Sequence, residues 1–310
     1  SGRLQRYRQQ LGTYSKPLHQ FEMLAQESEL EAYLSDEKVD HARFSILHRR
    51  KLSSQILSRS EEELVEGLSQ NGLHAWGNLY DQLSGSIECD VLVGNQNESM
   101  GLARAATLMM DQDDLQRKNA WQAINRSWSL HEEACAASIN AISGWRLDVC
   151  KKRSHSEFVG YLDSAVHLNK ISKETLAALM GSAQNYKALA QRAAKLQARA
   201  MGKERLSPWD SRAPAPHLDA GDSQQLMTFE EAVELIKGAF TEIDKSMGEF
   251  VQKMAKEGWI EGTISSKKRP GAYCTSFIKS RTPRVYMTYS GSASVVITLA
   301  HELGHALHFW

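Results

Sequence analysis

Two histidines, His301 and His305, and a glutamate, Glu302, stand in the run TLAHELGHALHFW over residues 298–310. Four residues is close to one helical turn, so on an α-helix both imidazoles share a face and can reach one tetrahedral ion. Glu302 lies about 100° round the helix from His301. That puts it beside the metal, facing a water on the metal rather than the metal itself. A zinc ion there acidifies its water and polarises a peptide carbonyl. Glu302 takes the proton as general base and can hand it to a leaving amine. Gly304 keeps the helix surface low, so another backbone or a substrate can come close. His308 is near the same face but about 4–5 Å further along the axis. A straight helix cannot bring all three imidazoles to one ion, and the third protein ligand of a catalytic zinc is expected elsewhere.

The residues around the motif predict the helix it needs. Val295, Val296, Leu299, Leu303 and Leu307 supply an apolar side, and Ser292 or Ser294 can cap its start. Ahead of it, residues 263–291 are punctuated by Gly and Pro. Short β-rich pieces at 273–278 and 284–289 predict a small sheet, a hairpin or two neighbouring strands. Thr228 and Glu231 form a capping box opening a helix that carries Val233, Ile236, Phe240, Ile243, Met247, Phe250, Val251 and Met254 on one face.

Further upstream the pattern is helical. Residues 172–201 predict a helix closed by Gly202, and residues 113–151 a long amphipathic one with Trp121, Ile124, Trp128, Cys135, Ile139, Ile142, Trp145 and Val149 as its stripe. His131 falls on that stripe and reads as a core histidine, the tryptophans as core packing. Ser60 with Glu63 reads as a capping box before Leu64, Leu68, Trp76, Leu79 and Leu83. Residues 86–94 are the strand-like piece of the first half. Residues 207–225 hold three of the six prolines and read as a linker or ordered crossing between domains.

Composition narrows the function classes. Lys+Arg and Asp+Glu both total 37, so no net field favours nucleic acid or an anionic membrane. The basic clusters 151–153 and 267–269 read as solvated faces. The apolar run 293–300 is too short to span a bilayer. Cys89, Cys135, Cys150 and Cys274 are far apart and form no C-x-x-C, which favours a reducing cytoplasm over secretion. The start, SGRLQRYRQQLG, has no apolar signal core, and the chain ends within a predicted helix. Both ends therefore read as cut.

The run TLAHELGHALH, preceded by KKRPGAYCTSF, YMTYSG and ERLSPWDSRAPAP, resembles the thimet oligopeptidase/oligoendopeptidase F family of zinc metallopeptidases. The likeness runs from about residue 100 to 310 and is thin before that. It implies a mainly α, multi-helical zincin-like architecture with a small β-sheet next to the zinc helix. Residues 1–205 would be a helical amino-terminal domain and 206–310 the first part of the catalytic domain. It implies zinc held by His301 and His305, Glu302 as general base, and short peptides as substrates. Gly271, Ala272, Tyr273 and Cys274 would line the substrate channel, pairing with peptide backbone as an edge strand does, although plain sheet core is an equal reading of that stretch. The third ligand and the oxyanion-stabilising residues would lie in a carboxy-terminal part beyond residue 310. Ser294 stands where the family commonly has an acidic residue, which leaves the outer support of His301 open. The competing reading is a non-catalytic helical binding or scaffolding protein with a vestigial HELGH, which binds no stoichiometric zinc.

Overall fold

A computed structural model of the chain describes residues 2–216, 226–265, 268, 271–277 and 279–310. The second part of the proline-rich stretch (217–225), Lys267 and Arg269 of the basic cluster, and Ile278 of the expected strand lie outside the described residues. The fold is mainly α. In chain order the helices are α1 (Gly2–Leu24), α2 (Glu27–Leu34), α3 (Glu37–Asp40), α4 (Arg43–Arg50), α5 (Arg59–Ser69), α6 (Ala75–Ser86), α7 (Leu102–Thr107), α8 (Asp114–Ser129), α9 (Glu132–Arg153), α10 (Asp163–Leu168), α11 (Lys173–Asn185), α12 (Lys187–Ala200), α13 (Phe229–Ile243), α14 (Lys245–Lys256) and α15 (Ala293–Phe309). Among the described residues the strands are β1 (Glu88–Val93), β2 (Gln96–Gly101), β3 (Ile260–Glu261), β4 (Tyr273–Phe277) and β5 (Thr282–Tyr286). No helix among the described residues is long and apolar enough to cross a membrane.

Contacts divide the chain into two compact units, residues 1–79 with 135–187 and residues 80–134 with 188–310. The first has a small core of Leu30, Leu34 and Ile46, reinforced by ion pairs. Glu22 accepts from Arg49 at 2.6 Å, and Arg153 grips both oxygens of Glu62 at 2.6 and 2.8 Å. Arg153 is thus half-buried rather than part of a solvated face. The capping box of α5 is Ser58 with Glu61, two residues before the expected pair, because the helix starts at Arg59. A π-turn at Gln70–His74 then resets the phase between α5 and α6, and Leu64 and Leu68 are exposed. Gly72 in that turn faces Trp145, whose ring would lie 2.6 Å from a Cβ there.

The helix expected over 113–151 is two helices. His131 donates its backbone N–H to Trp128 O at the break, and its side chain is half-buried rather than core. Ile139, on the expected stripe, is exposed, while Cys135, Ile142, Trp145 and Val149 of the same stripe are half-buried. Residues 172–201 break likewise at Tyr186, and Gly202 closes α12, where Lys203 N–H bonds Ala198 O. Asp244, with extended backbone, ends α13 and caps α14 through Ser246 N–H at 2.7 Å.

The second unit has two cores. One joins the antiparallel hairpin β1–β2 to α7 and α8 through Cys89, Val91, Met100, Leu102, Ala120 and Ala123. Strand β2, QNESMG, is too polar to be legible as a strand before its pairing is seen. The other core joins α13, α14, the β3-β5-β4 sheet and α15. The short turn Leu108–Met110 serves both: Leu108 and Met109 pack on the first core and Met110 on the second.

Residues 207–216 are an anchor rather than a loose linker. Asp210, fully buried, accepts from Arg117 at 2.9 Å and Lys203 at 2.7 Å. Arg117 in turn donates to the carbonyls of Asp111 and Gln112 at 2.9 and 2.7 Å, fixing the chain just after Met110.

Candidate metal centre

Helix α15 is held by its apolar side. Val295, Val296, Leu299, Leu303 and Ala306 recur at one- to four-residue steps and are buried against α14, β4 and β5. Its start is fixed by backbone. Gly291 O accepts from Met227 N at 3.0 Å, and Tyr289 Oη donates to Met227 O and Thr228 O at 2.9 and 3.0 Å. A Cβ at Gly291, whose φ is 80°, would sit 2.7 Å from Met227 O, so this approach needs glycine. Ser292 takes the cap position, but its hydroxyl does not cap the helix. It lies 3.5 Å from Met110 Sδ, and Ser294 Oγ lies 3.6 Å from the same sulfur, both oriented to donate. No sequence signal marked Met110, because nothing local ties residue 110 to residue 292.

On the opposite side of α15 the two imidazoles converge. His301 Nε2 and His305 Nε2 are 3.0 Å apart, with ring planes at 88°, and both side chains are exposed. Two nitrogens that close fit a pair of ligands on one ion. Glu302 is only 7% exposed, and no hydrogen bond from a described residue reaches its carboxylate. An acceptor left open in this way is free to take a proton from a bound water. Its charge is felt at Cys274, whose thiol is pushed up first by burial and then by Glu302. A Cβ at Gly304 would meet nothing within 4 Å, so the described residues do not require glycine there. His308 is exposed one turn on. Among the described residues no group of three His, Cys, Asp or Glu could hold a metal ion. The described residues thus bring together two imidazoles and, next in sequence, a buried carboxylate.

The segment expected to line a substrate channel is β4 and its approach. Gly271, with φ 110°, makes the bend before the strand, and Ala272 is half-buried against the core. Tyr273 pairs with Tyr286 and stacks on it, ring centroids 5.0 Å apart. Cys274 packs against the same core as α15. The strand order β3-β5-β4 leaves β4 at an edge, with Tyr273, Thr275 and Phe277 exposed and Cys274 and Ser276 half-buried. The second strand of this hairpin begins at Thr282, two residues earlier than expected, and the two-residue β3 joins it in parallel.

Similarity to known proteins runs along most of the chain. A family model described as Peptidase family M3 matches residues 107–310, and one described as Oligopeptidase F matches residues 23–88. The chain is 24% identical over 289 residues to group B oligopeptidase PepB of Streptococcus agalactiae serotype III (strain NEM316), covering 91% of this chain and 46% of that protein. It is 24% identical over 200 residues to oligopeptidase PepF of Bacillus subtilis (strain 168), covering 62% of this chain and 28% of that one. A crystal structure provisionally described as an oligoendopeptidase F from Bacillus anthracis shares the fold with a TM-score of 0.74 at 19% identity, over 96% of this chain and 52% of that one. The chain spans less than half the length of the curated relatives it matches.

Proposed function

Because the chain belongs to peptidase family M3, we propose that it carries two zinc ligands and the general base of an endopeptidase that hydrolyses short oligopeptides. The observation that carries this reading is the 3.0 Å approach of His301 Nε2 and His305 Nε2 on an exposed helix face. Zinc, when bound, supplies Lewis acidity, which acidifies water and polarises a peptide carbonyl. His301 and His305 would hold it, with a third ligand supplied from beyond the described residues or by another chain.

The chain's own residues then divide the work. A Glu302 carboxylate oxygen accepts the proton of the attacking water and passes it to the leaving amine. Its burial among apolar neighbours strengthens that exchange, because little water screens it. The stretch Gly271, Ala272, Tyr273 and Cys274 leads into β4, which stands at the edge of the described sheet, where an extended peptide could lie alongside as a further strand. Residues 206–310 would be the first part of the catalytic domain, following in sequence a helical amino-terminal domain of residues 1–205, a division by function that differs from the two compact units. The described cysteines are all free, which suits a reducing, cytoplasmic setting.

The experiment is zinc per chain by elemental analysis after dialysis against a weak chelator, on the native chain and on His305→Ala. In protein with the third ligand present, about one zinc, absent from the variant, is the expected result. No zinc in such protein would turn the reading to a helical scaffold with a vestigial motif.

A further inference from the structure

Lys268 is a buried cation that the proposed chemistry does not use. Its side chain is 6% exposed, yet its ammonium is fully engaged. Nζ donates to Thr263 O at 2.8 Å, Glu261 Oε1 at 3.2 Å and Glu261 O at 3.3 Å. It also lies 4.5 Å from the centroid of the Tyr286 ring. An ammonium taken this far out of water needs such partners, and an aromatic face is one of them. The Tyr286 ring stacks in turn on Tyr273 at 5.0 Å. One side chain therefore reaches all three strands: β3 through Glu261, β5 through Tyr286, and β4 through the Tyr286–Tyr273 stack. The Glu261 carboxyl is held below its usual range, first by the Lys268 hydrogen bond and then by Thr263 N–H, as expected of a working pair.

The position of this staple gives it a role. Tyr273 is the first residue of β4, directly after the bend at Gly271. Strand β4 pairs with β5 and stands last in the order of the described sheet, so what fixes its start helps to set its register. We propose that Lys268 is a positioning residue for peptide binding, acting through Tyr286 and Tyr273 to hold the start of β4 in the register an incoming strand needs. This rests on the reading of β4 as the peptide-binding edge. A preorganised edge binds more tightly because less ordering remains to be done on binding.

The test compares Lys268→Met, which keeps the stem and removes the ammonium, with Lys268→Arg, which keeps the charge. Amide exchange needs no metal. In Lys268→Met, the β4 amides that donate to β5 should exchange about tenfold faster while those of α15 stay as they are, and Lys268→Arg should restore most of the protection. Unchanged exchange in β4 overturns the proposal. In protein with a complete metal site, KM for a short internally quenched peptide should rise about tenfold in Lys268→Met with kcat held within about threefold. The same peptide, N-methylated on the amides around its scissile bond, separates this proposal from the reading beneath it. If N-methylation weakens binding but Lys268→Met leaves KM unchanged, the edge reading stands and Lys268 has no such role. If N-methylation changes nothing, the edge reading fails and takes this proposal with it. Should Lys268→Met not fold, Tyr286→Leu breaks the same relay and must raise KM likewise; an unchanged KM there also overturns the proposal.

Discussion

On the proposed function, Glu302 is the residue whose replacement should separate metal binding from turnover. It lies beside the converging imidazoles but takes no part in their 3.0 Å approach. Glu302→Gln keeps the size and burial of the side chain and removes the base. In protein with a complete site, kcat should fall by about 10²–10⁴ while zinc content stays at the native level. Loss of zinc together with activity would instead make Glu302 a ligand or a support of the fold. The same residue scale explains why Cys274 is a poor nucleophile here. Burial and the nearby carboxylate both push its thiol up, so it stays protonated near neutral pH.

At the scale of elements, the geometry of the site is the geometry of α15. The helix faces α14 and the β4–β5 hairpin with its apolar side and leaves the imidazoles on the other. Leu299 is fully buried at the middle of that apolar side and two residues from His301. Leu299→Ala should cost about 3 kcal/mol in denaturant unfolding, because it leaves a cavity that packed neighbours fill only in part. If stability is unchanged, α15 is not seated as described. The helix start depends on long-range partners: Gly291 against Met227, and the Ser292 and Ser294 hydroxyls beside Met110 Sδ. Thr228 and Glu231, by contrast, cap α13 reciprocally at 3.2 and 2.8 Å, as their spacing alone predicts.

At the scale of the larger compact unit, a buried ionic cluster ties distant stretches together. Arg117 is 2% exposed and Asp210 is fully buried, and with Lys203 and Asp114 they join residues 111–117 to 203–210. Burial alone would raise the Asp210 carboxyl. Hydrogen bonds from Lys203, Arg117 and Ser207 N–H prevail and hold it down to about 2, against 3.8 when unfolded. With the folded value the lower one, the stabilisation is complete above the unfolded value and is lost as pH falls from about 4 towards 2. Acid unfolding of the native chain should steepen in that window. Asp210→Asn should flatten the slope there and cost about 3–5 kcal/mol at neutral pH, since it leaves two cations facing a neutral group. A native-like acid profile in the variant would remove Asp210 from this role.

Sequence by itself determined the elements whose signals are local. The four-residue spacing of His301 and His305, the apolar positions from Val295 to Leu303, and the Thr228–Glu231 cap all act within a turn or two of helix, where neighbours in sequence are neighbours in space. The family resemblance added roles to those same residues. Tertiary structure decided what depends on distant partners. Residues 260–261 become a strand only because residues 285–286 lie alongside, and that pairing leaves β4 at the edge. Lys268 reads as one charge in a basic run until Glu261, Thr263 and Tyr286 close around it. The breaks at His131, Tyr186 and Asp244 were hidden because apolar spacing persists across each of them. Periodicity records which side of a helix is apolar, and only packing decides where the chain turns away.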